Sequence, residues 1–144
     1  MKIMNIKKFD EKISIFIFNL RNKSYVRKNS LNNKIIKYKD HTIWLKKFLK
    51  KNIFYIIIYQ EKMVGYIRLE LKKNIYISSW ALEKKYQEKG ISKKCLILAT
   101  NKKRQKYMAI IKQDNLASIK IAYHAKFKLK LIKNQICYLY KNIY

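Results

Sequence analysis

The residues best placed to do chemistry lie in segment 87–92, Gln-Glu-Lys-Gly-Ile-Ser. Gly90 is one of only two glycines in the chain, which has no proline. It stands between a strand-like run at Ile75–Leu82 and a helical run at 91–103. Glycine is favoured where the backbone approaches a ligand closely, and a helix start offers free N–H groups and a positive dipole. The segment therefore predicts a phosphate-binding loop.

The spacing of apolar residues predicts the elements that position this loop. In the first half they are a short strand within 1–8, helices at 11–22, near Val26 and at 40–50, and strands at Ile53–Tyr59, 63–71 and Ile75–Leu82. Asp40 is a suitable N-cap for the third helix. The three strands are separated by short polar breaks, which favour two antiparallel hairpins.

In the second half, Ile91, Cys95, Leu98 and Ala99 recur at helical spacing. The basic residues 102–104 are predicted to end that helix, because its dipole favours positive charge there. A strand at 107–111, a helix at 115–125 and strands at 129–132 and 136–140 follow. In the helix, Ile119, Ala122 and Tyr123 are predicted to face inward. Since a helix separates strand 107–111 from the previous strand, the two can be parallel, and the order predicts a three-layer α/β protein with a mixed, mostly antiparallel sheet.

Composition limits the class of protein. A length of 144 residues fits one domain, 1–144, and hydrophobic and aromatic fractions of 49% and 14% exclude a disordered tail. The formal net charge of +27 invites a nucleic-acid or membrane-surface function. The lysines are nevertheless scattered through every segment, and they accompany the Asn, Ile and Tyr typical of an A/T-rich genome. Codon usage is therefore the preferred explanation of the charge.

The two cysteines, Cys95 and Cys137, show no metal-ligand spacing. Both are predicted to be buried thiols in a reducing compartment, and no metal site is expected. No stretch approaches the ~20 apolar residues that span a bilayer, so a cytoplasmic location without membrane association is predicted.

The element order and the loop together resemble the GNAT acetyltransferase fold over essentially the whole chain. In that family the sheet splays between its fourth and fifth strands, and acetyl-coenzyme A (acetyl-CoA), the cosubstrate, lies in the gap. The resemblance implies that backbone groups near Trp80 pair with the pantetheine arm, and that loop amides hold the pyrophosphate. The residues implied in coenzyme binding are Trp80, Ala81, Leu82, Gln87, Glu88, Lys89, Gly90, Ile91, Ser92, Asn115 and Ser118.

A second pattern of the family contains an Asn, a Ser or Ala, a Tyr and a Gly-Phe pair along one helix. Asn115, Ser118, Tyr123 and Phe127 resemble it. The resemblance implies that Tyr123 protonates the departing thiolate, a role that a phenol can perform. The alternative is that Tyr123 is one of twelve tyrosines and simply packs its helix.

The first third of the chain resembles the GNAT branch that acetylates 4-amino sugars carried on a nucleotide diphosphate, in pathways to pseudaminic-acid-type surface sugars. The matching residues are Arg21-Asn22, Val26-Arg27, Ser30, His41-x-x-Trp44 and the later stretch 65–69. The resemblance places Arg21, Asn22, Arg27, His41, Trp44 and Arg68 at the acceptor side. Arginine forms bidentate hydrogen bonds with phosphates, and aromatic rings pack against a sugar or uracil face. The alternatives are that Trp44 anchors its helix in the core and that Arg21 and Arg27 lie on a solvated face.

The general base stays open among His41, Glu70, Glu83 and an ordered water. His41 is equally compatible with a hydrogen bond to substrate or a place in the first turn of its helix. Three residues depart from the family pattern: Glu88 replaces a Gly, Ser92 a Gly or Ala, and Lys126 the Gly before Phe127. The last change predicts that the helix end closes differently.

The chain is therefore expected to be an N-acetyltransferase that acts by direct attack of an amine in a ternary complex. A protein N-terminus or lysine, as in ribosomal-protein acetyltransferases, is the alternative acceptor. A basic nucleic-acid-binding module and a non-catalytic relative are the alternatives outside this activity. No specific nucleic acid is expected as partner, and a homodimer is left open.

Overall fold

Seven strands form one sheet in the order β1-β2-β3-β4-β5-β7-β6 in a computed structural model that describes residues 1–143. The strands are β1 Lys2–Ile6, β2 Ile53–Tyr59, β3 Lys62–Lys72, β4 Ile75–Leu82, β5 Lys106–Lys112, β6 Lys128–Lys133 and β7 Ile136–Asn142. The helices are α1 Glu11–Arg21, α2 Ser24–Asn29, α3 Tyr38–Lys51, α4 Ile91–Ala99 and α5 Leu116–His124, and a short 3₁₀ turn covers Lys84–Tyr86. None of these helices is both long and apolar enough to cross a bilayer.

All neighbouring strands are antiparallel except β4 and β5, which run parallel as predicted. Their pairing covers only four residues each and ends at Ser78 and Ala109. Beyond that point β4 stays paired with β3 as far as Leu82, while β5 stays paired with β7 as far as Lys112. The two strands therefore part, and the predicted gap opens between their carboxyl ends.

Two apolar clusters lie on opposite faces of the sheet and make the predicted three layers. One joins α1 and α3 to the sheet through residues such as Ile17, Leu45 and Phe54. The other joins α4 and α5 to it through residues such as Leu96 and Ala122. Burial of this apolar surface supplies the main driving force for both layers. Cys95 and Cys137 are buried free thiols, as predicted.

Each glycine stands where another residue would be strained. A Cβ on Gly65 would lie 2.4 Å from the carbonyl oxygen of Ala81 on the neighbouring strand. Gly90 has a φ of 77°, in the left-handed region that glycine adopts readily. Elsewhere the chain takes positive φ without glycine, as at Gln60 and Glu61 in the turn between β2 and β3.

Two predicted helix ends are wrong. α3 begins at Tyr38 with Lys37 as N-cap. Asp40 therefore does not cap the helix but lies in its first turn, where its negative charge interacts favourably with the helix dipole. α4 ends at Ala99, because the Thr100 hydroxyl and N–H both bond to the carbonyl of Leu96 and the following backbone leaves the helix. The basic residues 102–104 consequently lie beyond the helix. α2 is a well-formed helix of six residues.

The end of α5 also differs from the expectation, because it closes in the manner usual for a glycine. Lys126 has a φ of 74°. The N–H of Phe127 donates to the Ala122 carbonyl at 3.0 Å, and that of Lys126 to the Tyr123 carbonyl at 3.0 Å. These two bonds form a Schellman motif, in which lysine replaces glycine at the cost of backbone strain. Tyr123 does not face inward as predicted: it is 48% exposed, whereas Ala122 is buried.

Candidate functional site

The loop before α4 lies at the open end of the gap. Gly90 is the N-cap of α4 and offers no side chain to its first turn. The first bond inside the helix runs from the N–H of Lys94 to the carbonyl of Gly90. The N–H groups of Ile91, Ser92 and Lys93 therefore have no partner within the helix, and the dipole places positive potential beside them. This is the arrangement predicted for a phosphate.

The rest of the loop is fixed to the end of β4. The Gln87 side chain donates to the carbonyl of Leu82 at 3.0 Å. Glu88 has a φ of 64°, so this position needs the left-handed backbone that glycine adopts without strain. The Glu88 and Lys89 side chains are exposed. The glutamate consequently occupies the glycine position with its carboxylate in solvent.

The last residues of β4 border the gap with an edge that β5 does not cover, where the Leu82 carbonyl is taken by the Gln87 side chain. Trp80, Ala81 and Leu82 pair with β3 but have no partner on β5. A strand edge of this kind can bond to an extended chain that carries amide groups, as an added strand would. A loop for phosphates and a strand edge for amides fit the diphosphate and the pantetheine arm of acetyl-CoA.

Asn115 and Ser118 lie across the gap, where α5 follows β5. The Asn115 side chain is the N-cap of α5 and accepts a bond from the Ser118 N–H at 3.3 Å. The two residues are thus neighbours joined by this bond, and their contact with the coenzyme stays a prediction. In the family pattern the tyrosine lies four residues before the glycine. Lys126 occupies the glycine position in this chain, so the tyrosine position is occupied by Ala122. Tyr123 stands one residue later, on the exposed side of α5.

The face of the sheet that carries α1 and α3 brings four predicted acceptor residues together. The Arg21 guanidinium lies 4.1 Å from the centre of the Trp44 ring, and the Arg68 guanidinium lies 5.2 Å from it. Arg21 also contacts His41, with 3.1 Å between Nη1 and Nδ1. Both arginines are within the range of cation–π attraction to one indole.

His41 is fully buried, and both of its ring nitrogens are bonded. Nε2 lies 3.1 Å from the carbonyl of Ser14. A carbonyl only accepts, so Nε2 carries the proton, and Nδ1 accepts the bond from Arg21. Burial, and then the charge of Arg21, lower the pKa of His41 to about 4. His41 therefore holds Arg21 in place and has no free nitrogen for an attacking amine, contrary to a role as general base.

The two arginines have no carboxylate partner. Burial, together with the charge of Arg68, lowers the pKa of Arg21 to about 10. Arg68 donates from Nε to the Ser79 hydroxyl at 2.7 Å, beside the gap. The ion pair found within residues 1–143 joins Lys72 to Glu70 at 3.5 Å and involves neither arginine. The site thus holds two close positive charges that an anion would neutralise.

Asn22 and Arg27 hold the chain together instead of facing an acceptor. Asn22 makes two bonds of 2.8 Å with the backbone of Ile36. Arg27 donates to the carbonyls of Asn22 and Asn33. These bonds close segment 22–36 into a loop, so the predicted acceptor contacts of both residues give way to a structural role.

Glu70 remains on the acceptor face. In β3 the side chains of Tyr66, Arg68 and Glu70 alternate onto one side, and Glu70 is 39% exposed. The predicted alternative base Glu83 lies just beyond β4 and is half-buried.

Sequence reasoning missed Ser14 and Ser79, and it named Tyr66 only as part of stretch 65–69 without a role of its own. Tyr66 could have been found by alternation, since it lies two residues before Arg68 on the same strand. Ser79 lies opposite Arg68 through the register of β3 and β4, and Ser14 meets His41 through the packing of α1 against α3. Neither contact has a signal in the sequence.

Comparison with known proteins agrees with this geometry. The family model described as "Acetyltransferase (GNAT) family" matches residues 16–127. Comparison with curated protein sequences finds no match.

Several solved structures share the fold. A ribosomal L7/L12 alpha-N-protein acetyltransferase, RimL, in complex with coenzyme A has a TM-score of 0.83 at 16% identity, covering 99% of this chain and 95% of that one. YncA, a putative acetyltransferase from Salmonella typhimurium with acetyl-CoA, has a TM-score of 0.77 at 14% identity, covering 100% and 95%. A spermidine N-acetyltransferase from Vibrio cholerae with CoA and spermine has a TM-score of 0.78 at 12% identity, covering 96% and 94%. The matched family model covers most of the chain, and so the protein belongs to the GNAT family as an acetyl-CoA-dependent N-acetyltransferase.

Proposed function

We propose that this enzyme acetylates the amino group of a nucleotide-linked amino sugar, with the 4-amino group as the favoured position. The observation that carries the proposal is the pair Arg21 and Arg68 beside Trp44, without a carboxylate partner within residues 1–143. Guanidinium groups bind phosphate oxygens in two-pronged fashion, and an indole face packs against a sugar or a base. The same charges disfavour a cationic acceptor such as a polyamine.

The donor side uses backbone groups. The free N–H groups of residues 91–93 and the left-handed backbone at Glu88 and Gly90 hold the diphosphate of acetyl-CoA, while the free edge of β4 holds its pantetheine arm. Bound acetyl-CoA supplies an activated thioester, which the amine attacks directly. A backbone N–H at the end of β4 polarises the thioester carbonyl as an oxyanion hole does.

Proton transfer is assigned to the two predicted residues that remain, Glu70 and Tyr123. His41 acts through Arg21 as a positioning residue, so Glu70, directly or through a water, accepts the proton of the amine. Tyr123 protonates the departing thiolate from the end of α5. Buried thiols and a dependence on acetyl-CoA fit a cytoplasmic enzyme.

Mass spectrometry of a nucleotide-sugar mixture incubated with the protein and acetyl-CoA tests the proposal. We expect one amino sugar to gain an acetyl group, and we expect Arg68→Gln to lower kcat/KM by about tenfold or more, since a charged hydrogen bond to substrate is lost. The matched control is Arg104→Gln, which removes an exposed arginine beyond α4. Acetylation of a peptide panel but of no amino sugar would overturn the acceptor assignment.

The role of Tyr123 has its own test. Tyr123→Phe is expected to lose most turnover and to keep acetyl-CoA binding. Unchanged turnover would remove Tyr123 from the mechanism and leave water as the proton donor.

A further inference from the structure

Two buried polar atoms beside the gap have no hydrogen-bond partner. Within residues 1–143, they are the Oγ of Ser78 and the Nε1 of Trp80. Ser78 is only 2% exposed. Since nearly all buried polar groups in proteins are paired, two unpaired groups two residues apart require an explanation.

Their place on β4 points to the donor site. Ser78 belongs to the last pair between β4 and β5, and Trp80 lies two residues further, where the edge of β4 is free. Residues two apart share a face, so both side chains lie on the face of Leu82, which carries α4 and α5. This is the face that presents the free N–H groups of α4.

We propose that Ser78 and Trp80 donate hydrogen bonds to carbonyl oxygens in the pantetheine and thioester part of acetyl-CoA. An indole N–H can only donate, and a serine hydroxyl can donate, so both suit an acceptor. The amide and thioester carbonyls of this arm are such acceptors. This inference rests on the proposed function, because it requires the donor to lie in the gap.

The unpaired Ser78 hydroxyl also affects the stability of the ligand-free protein. A buried donor without a partner costs free energy, and its removal relieves that cost. Ser78→Ala should therefore leave the melting temperature of the ligand-free protein unchanged or raise it. A serine with a purely structural hydrogen bond would show the opposite effect.

Calorimetric titration with acetyl-CoA, and separately with CoA, tests the inference. Ser78→Ala and Trp80→Phe are each expected to weaken acetyl-CoA binding by about threefold to tenfold, the usual effect of losing one neutral hydrogen bond. The control is Ser79→Ala, an adjacent serine on the opposite face, which should bind acetyl-CoA as the wild type does. A loss seen with acetyl-CoA alone assigns the thioester carbonyl, and a loss with both ligands assigns the amides.

Wild-type affinity in both variants would overturn the inference while leaving the proposed function intact. A lower melting temperature of ligand-free Ser78→Ala with unchanged affinity would assign the serine a structural role. Failure of the wild type to bind acetyl-CoA would remove the proposed function, and the inference with it.

Discussion

His41 shows how burial changes the role of a single residue. Its imidazole is neutral because it is buried against the positive charge of Arg21, and its two bonds link Arg21 to the carbonyl of Ser14. A protonated ring would present N–H groups to a guanidinium and break the contact. The residue therefore serves the acceptor side only while it stays neutral.

Stability should fall as the pH falls below about 6.5, the pKa of histidine in the unfolded chain. The folded pKa is about 4, so the unfolded protein takes up the proton first and is favoured. Between pH 6.5 and 5 this effect costs about 2 kcal/mol of unfolding free energy. Urea unfolding at pH 7 and pH 5 measures it.

Two histidine variants isolate the effect. His41→Gln should lose the pH dependence, whereas His124→Gln, which removes the exposed histidine at the end of α5, should keep it. An equal dependence in both variants would mean that His41 is not the titrating group.

Within the loop, Glu88 is the residue least suited to binding the diphosphate of acetyl-CoA. Its φ of 64° strains the backbone, and its negative charge stands in the loop proposed to bind the diphosphate, although its side chain is exposed to solvent. Glu88→Gly should raise the unfolding free energy by up to about 1 kcal/mol and tighten acetyl-CoA binding severalfold. Isothermal titration and chemical unfolding measure the two effects.

The matched control is Glu61→Gly, because Glu61 has a φ of 63° but lies in the turn between β2 and β3. It should gain stability without a change in affinity. Equal affinity of wild type and Glu88→Gly would show that this carboxylate does not meet the ligand.

For single residues, the sequence was sufficient to predict the loop around Gly90 but not the contact between Arg21 and His41. Gly90 was identified because glycine is scarce in this chain. Its φ of 77° explains why a glycine is present at this position. The pairing of Arg21 with His41 depends on how α1 packs against α3, and that packing leaves no local pattern in the chain.

At the scale of elements, the end of α5 shows that a motif can form without its preferred residue. The two backbone bonds of the Schellman motif are present although Lys126 takes the position of glycine. The motif tolerates the strain because Phe127 is buried and fixes the path of the chain.

Lys126→Gly should therefore stabilise the protein by about 1 kcal/mol, since glycine adopts a positive φ without a steric penalty. Lys128→Gly should instead destabilise it, because Lys128 lies in β6, where glycine costs entropy. The free energy of unfolding in urea decides between these signs. A loss of stability in Lys126→Gly would show that the lysine side chain contributes more than the strain costs.

Strands were easier to predict than helix ends. Strand-like runs separated by short polar breaks gave β2, β3 and β4 within one residue of their bounds. The start of α3 depends on the bond from the His41 N–H to the Lys37 carbonyl. The end of α4 depends on the bonds from Thr100 to the Leu96 carbonyl. Neither Lys37 nor Thr100 is a strong terminal signal.

At the scale of the whole molecule, charge opposes folding. The formal net charge is +27, and residues 1–143 contain a single ion pair of 3.5 Å. Such an excess of like charge repels itself in the compact state. The core, rather than surface ion pairs, must therefore hold the fold together.

Added salt should raise the stability of the ligand-free protein. Between about 0.1 M and 1 M NaCl the screening length falls from about 10 Å to about 3 Å, which weakens the repulsion. We expect the melting temperature to rise by several degrees and acetyl-CoA binding to weaken, because the ligand is anionic. A melting temperature independent of salt would contradict this account of the charge.

The gap between β4 and β5 is a property of the complete sheet. Past the gap, β4 stays paired with β3 and β5 stays paired with β7, so the divergence involves strands from both halves of the chain. The resemblance to the GNAT family predicted the place of the gap, between the fourth and fifth strands. The order of elements showed only that these two strands can be parallel, because a helix separates them. The pairing extends to Ser78 and no further, a limit for which the sequence shows no signal.

Amide hydrogen exchange, with and without acetyl-CoA, tests most directly whether the donor lies in the gap. We expect slower exchange at residues 79–82 and 88–93 when acetyl-CoA is bound, and no change in the edge strand Lys128–Lys133. Unchanged exchange in both segments, or protection confined to another part of the chain, would contradict it.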